Sequence, residues 1–569
     1  MIRELSFIVA LVAPLAAWAQ GAVQQTGPVT PGHAAVWAQD HLVKDGGVPS
    51  GIPPSVITSG ADPNGVTDSG PAFQQAYNVN APTGICVHVP AGTYLINTQV
   101  TMTSWPPCFY GDGWSEAQGG LASRIGTWIH INNQSVQPFA ISTTATAGSY
   151  GFFNMAFYED QPTPAPGWTP TPYQYIFALT GTQGLQFENL YFFNVTHCLS
   201  SLPPGNSGRL HIKKWAGQPL GTCLLIDNQR DVSWIDDLHF WPFWSSDVNV
   251  YKYTQANVDP IVLQRLDSPV IGSVFDFAYH SGINFASSSN GATTGFQVGN
   301  LQVDAAKYSV WVTGNNTQGQ IANFRGAGED ATTANVALTG SESYRDESTG
   351  SVVSIANFHN FYSGGSAIHI LSSSDLQVGK ALLWNYNQNN TGSAGITGGP
   401  SSAITIGTAP NIIGTLNGAA LSSIDPTAFL IAPGIAQTWT PTLVGTTTTG
   451  SATYTSQAGA YWDDGSKISL KFAISVTGFS GFAGLLTIQG IPRPATGLVN
   501  HNGTCAIGLK SGIVLDTGYY VLAAVVPSGA GPKQIQLIES GPGNSSQQTP
   551  ISVYGSSFSI AGDCTYQWN

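Results

Sequence analysis

The sequence predicts an all-β chain, a parallel β-solenoid followed by a C-terminal antiparallel β-sandwich, and three observations lead there. The first is a four-residue pattern (apolar, any residue, Asn or a stand-in, apolar) that recurs through the middle of the chain, as in Phe187-Glu188-Asn189-Leu190 and Ile321-Ala322-Asn323-Phe324. Its third positions are Asn154, Asn189, Asp237, Ser273, Asn300, Asn323, Asn357 and Lys380, spaced 35, 48, 36, 27, 23, 34 and 23 residues apart. A degenerate repeat of that length, rich in β-branched and aromatic residues, marks stacked coils. The second is composition. Of 569 residues 42% are hydrophobic, 66 are Gly and only 9% are charged, where ordinary domains carry about a quarter charged residues. The third is a change of period near the C-terminus, where Ile468, Leu470, Phe472, Ile474 and Val476 alternate onto one face of a strand.

The length calls for two or three domains. The net charge is −13, and no Lys/Arg cluster exists that would neutralise a row of phosphates, so nucleic acid is not an expected partner. Residues 1–19 read as a signal peptide: Arg3, an apolar run from Leu5 to Leu15, and the small-x-small site Ala17-Trp18-Ala19. This implies a secreted, periplasmic or cell-surface protein with no membrane attachment after cleavage. Six cysteines remain, none in a Cys-x-x-Cys pair, so no zinc site is expected. Sequence alone allows fifteen connectivities. Keeping each pair within one region gives Cys86–Cys108, Cys198–Cys223 and Cys505–Cys564.

Residues 20–55 are rich in Gly, Pro and Gln and read as a linker or arm. Gly60 to Asp68 is a turn-rich loop. Asp68 or Ser69 can cap a short helix with Pro71 in its first turn and an apolar face of Ala72, Phe73, Ala76 and Tyr77. Val87 to Ile96 then reads as strand, turn, strand. The stretch "GADPNGVTDSGPAFQQAY…VHVPAGTYLI…GDG", residues 57–115, resembles the N-terminal part of the pectate-lyase-like superfamily, which includes rhamnogalacturonase-type and epimerase-type enzymes and phage tailspikes. The resemblance implies a right-handed parallel β-helix whose open end is capped by the helix. Where the family has two consecutive acids, this chain has Asp68 followed by Ser69, in a loop that is structural in the family.

The solenoid is expected over residues 56–424. The residue after each Asn-type position (Leu190, Leu238, Val274, Leu301, Phe324, Phe358) should point inward. The Asn-type residues should stack at a turn and bond to one another, which gives Asp237 and Ser273 a structural reason to be where they are. A Pro/Ala/Gly-rich linker over 425–437 precedes the C-terminal module, 438–569. The opening of that module, "TWTPTLVGTTTTGSATYTSQAGAYWDDGSKISLKF", resembles C-terminal modules of phage tail and fibre proteins, and the resemblance implies trimerisation or glycan binding.

No serine-triad signature, phosphate loop or zinc motif appears, which leaves carboxylates and aromatics. Aligning "FDFAYHSGINF" (275–285) with "VDAAKYSVWV" (303–312) sets Asp276 opposite Asp304 and His280 opposite Tyr308. Coils stack about 4.8 Å apart, so such carboxylates would perturb each other. Retaining glycosidases hold their carboxyls about 5 Å apart and inverting ones about 6.5–9.5 Å. Asp276 with Asp304 suits the former, and Asp276 with Glu329 or Asp330 the latter. Asp236 is a further candidate acid, and His280 a candidate acid or orienting group. The alternative is that these acids are turn residues bonded to backbone. Trp241, Trp244, Tyr308 and Trp384, with Lys307 and Arg325, are candidate sugar contacts; Tyr191, Phe193 and Phe361 occupy similar positions. Aromatic rings at coil spacing suit sugar faces, although the same rings could simply fill the interior.

The expected function is polysaccharide cleavage by a glycoside hydrolase of this fold. A lyase is the second reading; there Lys307, Arg325 or a bound Ca²⁺ could stabilise the enolate-like intermediate. A non-catalytic, homotrimeric glycan-binding adhesin is the third. Hydrolysis needs no cofactor.

Overall fold

The computed structural model describes residues 54–568, apart from residues 118–119, 144–145, 203–206, 334–335, 414–419, 425–428, 494–501 and 529–533. In the N-terminal arm it describes the strands Gln24–Gln25, Ala35–Gln39 and Leu42–Asp45, which form a small three-stranded sheet. The expected signal peptide lies outside the described residues.

The body of the chain is a right-handed parallel β-helix. Short strands stack into a twelve-stranded parallel sheet, while longer strands from Gly151–Glu159 to Asp375–Trp384 stack beside it and bend at the Asn-type position. Register follows the repeat: Asn300 pairs with Ser273 and Asn323, and Asn357 with Asn323 and Lys380. The stacked amides bond as expected, Asn189 Nδ2 donating to Asn154 Oδ1 (2.8 Å), Asn323 to Asn300 (3.0 Å) and Asn357 to Asn323 (2.9 Å). The 48-residue interval between Asn189 and Asp237 holds one more coil. There Lys214 takes the ladder position between Asn189 and Asp237. Asn154, Asn189, Lys214 and Asp237 all sit in the left-handed region, φ 55–59°, which Asn and Asp tolerate better than other side chains.

The residues after the ladder, Leu190, Leu238, Val274, Leu301, Phe324 and Phe358, are all buried. The core column two residues before the ladder changes character along the axis. Phe109, Phe152 and Phe187 stack at 5.6 and 5.8 Å, and Ile212, Ile235, Ile271, Val298, Ile321 and Ile355 continue the column. One end is closed by α1 (Gly70–Asn80), whose Phe73 lies 5.6 Å from Phe109. Ser69 occupies the N-cap position, but the carboxylate that serves the helix start belongs to Asp68, which accepts from Gly70 N and Asn97 N (both 2.9 Å). Backbone N–H donors at Asn64, Thr67 and Val66 hold the Asp62 carboxyl down at about 2.

Strand pairing continues from the solenoid as far as Ile431, in register with Thr405. From Gln437 a ten-stranded antiparallel sheet curls over its own core, led by the hairpin Thr448–Asp463 and Lys467–Ala483. Its alternating face, Ile468 to Val476, is buried. All three disulfides are Cys86–Cys108, Cys198–Cys223 and Cys505–Cys564.

Candidate functional site

Three outward columns on the long-strand sheet build a groove. The first is the ladder, from Asp237 to Lys380. The second stands two residues further on: His239, Phe275, Gln302, Arg325, His359 and Leu382, in register. The third includes Phe277 and Asp304, in register, with Trp241 beside Phe277 (4.7 Å). Together with Phe243, Thr408 and Asn411 the first two columns and Trp241 line a cavity of about 1200 Å³. It crosses seven coils, about 29 Å at about 4.8 Å per coil.

Two insertions shape it. The loop after Gly111 folds back over the sheet, with Trp114 stacked on Tyr191 (4.6 Å) and its Nε1 donating to Asn189 O (2.8 Å). This brings Glu116 to the groove beside His239 and Asp237. Burial draws His239 below the usual imidazole range, and the negative charges of Glu116 and Asp237 oppose that. The second insertion contains α2 (Val248–Asn257), capped by Asp247, which accepts from Asn249 N (2.7 Å). Gln255 of α2 donates to Ala305 O (2.6 Å) and Glu329 O (3.2 Å), tying the helix to the acidic corner.

At that corner Arg325 is ion-paired with Asp304, and its guanidinium lies 4.7 Å from the Phe361 ring centre. Glu329 stands behind them. Burial pushes its carboxyl up, and the charge of Asp304 adds to the effect while Arg325 opposes it. Two acids in one place thus have different environments, one neutralised by an arginine and one desolvated, which is the arrangement that separates a proton donor from a carboxylate. His359 and Trp384 pack edge to face at 5.2 Å on the same side of the groove, with no hydrogen-bond partner for His359 Nε2 or Trp384 Nε1.

Several expected site residues are placed elsewhere. Asp276 is in register with Val303, not Asp304, and with Phe240 on the other side, so it points into the core. It is fully buried, neither carboxylate oxygen has a partner, and burial drives its proton affinity well up. The reason is alternation: Asp276 lies two residues after inward Val274, whereas Asp304 lies three after inward Leu301. Asp276 and Asp304 therefore lie on opposite faces and do not form the expected carboxylate pair. His280 sits on the short-strand side, bonded to Asp259 Oδ1 (2.9 Å), and Ser281, not His280, is in register with Tyr308. Lys307 and Tyr308 belong to that side as well, with Arg345 5.0 Å from the Tyr308 ring centre. Asp330 accepts from Thr332 N (2.8 Å) within its own loop, and Asp236 accepts from Asp237 N and Ser273 N (both 2.9 Å). Tyr191 and Phe193 are buried beneath the Trp114 loop. Trp244 packs against Trp168 (5.7 Å) at the groove rim. Trp241 and Arg325 line the groove; Trp384 adjoins it.

Glu116, His239, His359 and Lys380 are groove residues that the sequence did not offer as site candidates, although Lys380 stands in the ladder pattern. His239 and His359 carried a signal, since each stands two residues after a ladder position. Among the described residues no group of three or more His, Cys, Asp or Glu is arranged to hold a metal ion, and no helix is long and apolar enough to cross a membrane.

The fold and the groove define a parallel β-helix protein with a long cleft on one outer face, lined by apolar side chains together with the amides of the ladder. Residues 54–147 match the family model described as "Rhamnogalacturonase A/epimerase, pectate lyase-like", which overlaps the stretch whose motifs resemble that superfamily. No curated protein matches the sequence. Among solved structures the chain is similar to the Dettilon tailspike protein, with 12% identity, 90% of this chain and 93% of that one covered, and a TM-score of 0.46. It is similar also to the catalytic unit of an α-1,3-glucanase from Streptomyces thermodiastaticus (16% identity, 68% and 69% covered, TM-score 0.33). A third is the surface protein and adhesin PfbA of Streptococcus pneumoniae (13% identity, 66% and 97% covered, TM-score 0.35).

Proposed function

We propose that this protein binds an extracellular polysaccharide along the groove and hydrolyses it at the Asp304–Arg325–Glu329 corner. The observation that carries the reading is the pairing of unlike acids there: Asp304 ion-paired with Arg325, and Glu329 desolvated close by. Glu329, whose carboxyl burial pushes up, would be the acid that gives its proton to the departing glycosidic oxygen. Asp304, held against Arg325, would act as nucleophile or activate water. The aromatic rings of Trp241, Phe275 and Phe361 offer faces for sugar C–H surfaces, and the Asn ladder offers amides for hydroxyls. A groove of this length suits a polymer rather than a small metabolite. The protein would act as a secreted or surface-located protein, and its C-terminal module would assemble homotrimers or bind glycan.

Incubation with a panel of neutral and acidic polysaccharides tests this. New reducing ends are expected, and absent from Glu329→Gln. Products absorbing as unsaturated uronates would transfer the site to elimination, with Arg325 stabilising the intermediate. Binding without any product would sink the catalytic reading and leave an adhesin.

A further inference from the structure

A second cavity opens beside the groove, about 540 Å³, lined by the consecutive residues Trp241 to Asp247. Its size falls within the range of small-molecule sites, roughly 300–1,000 Å³. Trp241 and Phe243 line both cavities, so the two meet at one aromatic wall. Trp241 is 38% exposed there.

The segment is a built structure rather than a slack loop. Buried Gln218 pins it, accepting from Trp244 N (2.9 Å) and Ser245 N (2.8 Å) and donating to Ser245 O (2.8 Å). Phe243 N donates to Trp241 O (2.6 Å), which turns the chain sharply, and Asp247 fixes the far end as the cap of α2. Trp241 is held by Phe277 (4.7 Å) and Phe275 (5.9 Å), and Trp244 by Trp168 (5.7 Å). A concavity held in advance loses little freedom when a ligand enters. Its wall combines two indole rings with the hydroxyl-bearing Ser245 and Ser246 and the carboxyl-bearing Asp247. Apolar ring faces beside hydroxyl and carboxyl groups match one sugar, whose ring offers C–H patches and whose edge offers hydroxyls.

We infer that the substrate is branched, and that the side sugar on the unit stacked against Trp241 occupies this second cavity. The inference rests on the groove binding the polysaccharide backbone. It names what that backbone carries: a lateral monosaccharide, or a substituent of similar size and polarity, at one position of the bound stretch.

Matched pairs of linear and branched polymers test it: mannan and galactomannan, debranched xylan and arabinoxylan, linear and branched β-1,3-glucan, together with a panel of branched bacterial capsular polysaccharides and their chemically debranched forms. Binding of the full chain is measured by calorimetry. Within the pair that contains the preferred backbone, the branched member should bind at least tenfold more tightly. Ser246→Trp, which fills the cavity from an exposed position, should bring the ratio of branched to linear affinity to about one; Ser246→Leu should lower it by less, and circular dichroism should show both variants folded. Equal affinity for linear and branched members, or a ratio unchanged in folded Ser246→Trp, overturns the side-pocket inference and leaves the groove reading standing. No binding to any polymer of the panel overturns both.

Discussion

Asp304 lies in register with Phe277 on the outer face of the solenoid, one residue beyond the inward-pointing pair Asp276 and Val303. That single step separates an acid on the outer face, paired with the groove residue Arg325, from one that is sealed in the core. It also decides which carboxyls can share chemistry: Asp304 faces Arg325 and Glu329, and Asp276 faces neither.

Glu329→Gln should lower the rate of polysaccharide cleavage by about 10²–10⁴, the usual contribution of a general acid, with little change in binding. Asp304→Asn should have an effect at least as large, because it also leaves Arg325 without its counter-ion. Activity should fall as pH rises through the raised pKa of Glu329, since only the protonated acid can donate. Initial rates from pH 4 to 9 for wild type and both variants check this. A profile unchanged by Glu329→Gln would remove Glu329 from the mechanism.

Two of the acids buried inside the solenoid, Asp346 and Asp276, give predictions of definite sign. Asp346 is fully buried, and burial raises its pKa from 3.8 to about 6 despite hydrogen bonds from Ser348 N (2.9 Å) and Ser348 Oγ. The folded state therefore holds that proton more tightly than the unfolded chain. Its contribution is fully present below about pH 4 and lost as pH rises through about 6. A two-unit difference corresponds to roughly 3 kcal/mol. Asp346→Asn should flatten this part of the stability curve. Asp276, with no partner for either oxygen, is a plain cost; Asp276→Val should stabilise the protein by about 1–3 kcal/mol at neutral pH. Urea unfolding at pH 4 and 7 measures both.

What the sequence made legible followed from counting along one coil. Leu190, Leu238 and Phe324 were assignable to the core because alternation from the Asn position needs no knowledge of neighbouring coils, and the ladder itself was readable because Asn-type residues repeat. Relations between coils were harder. The coil at Lys214 escaped notice because a lysine fills a position that elsewhere carries Asn, Asp or Ser. Asp276 and Asp304 were paired by the likeness of the following segments, and a slip of one residue exchanges the two faces of a strand. Glu116 could not be foreseen: it reaches the groove only because Trp114 folds its loop onto Tyr191, and nothing local in the sequence encodes that contact.

Lys214 holds φ at 55° in a position that its neighbours along the ladder fill with Asn and Asp. A non-Gly residue there carries strain of order 1 kcal/mol, least for Asn. Lys214→Asn should therefore stabilise the solenoid by about 0.5–1 kcal/mol, adding an amide beside Asn189. Lys214→Val should destabilise it, since a β-branched side chain is least tolerant of this conformation. Thermal unfolding of the two variants, with opposite shifts expected, checks the assignment.

The C-terminal module should depend on one buried ion pair. Arg493 Nε donates to Asp463 Oδ2 (2.7 Å), Trp568 Nε1 donates to Asp463 Oδ1 (3.0 Å), and the guanidinium lies 3.9 Å from a Trp568 ring centre. The Asp463 side chain is entirely buried, so its charge has no access to water once the arginine is gone. Removing one partner of such a pair typically costs about 3–5 kcal/mol, far more than the pair itself contributes, because the other charge stays buried and unmatched. Arg493→Ala should thus unfold the module at a lower denaturant concentration than in the wild-type protein. Asp463→Asn combined with Arg493→Met should recover most of the loss, since neither side chain then carries charge. If the double variant is no more stable than Arg493→Ala, packing of the arginine against Trp568, and not charge, is what the module requires.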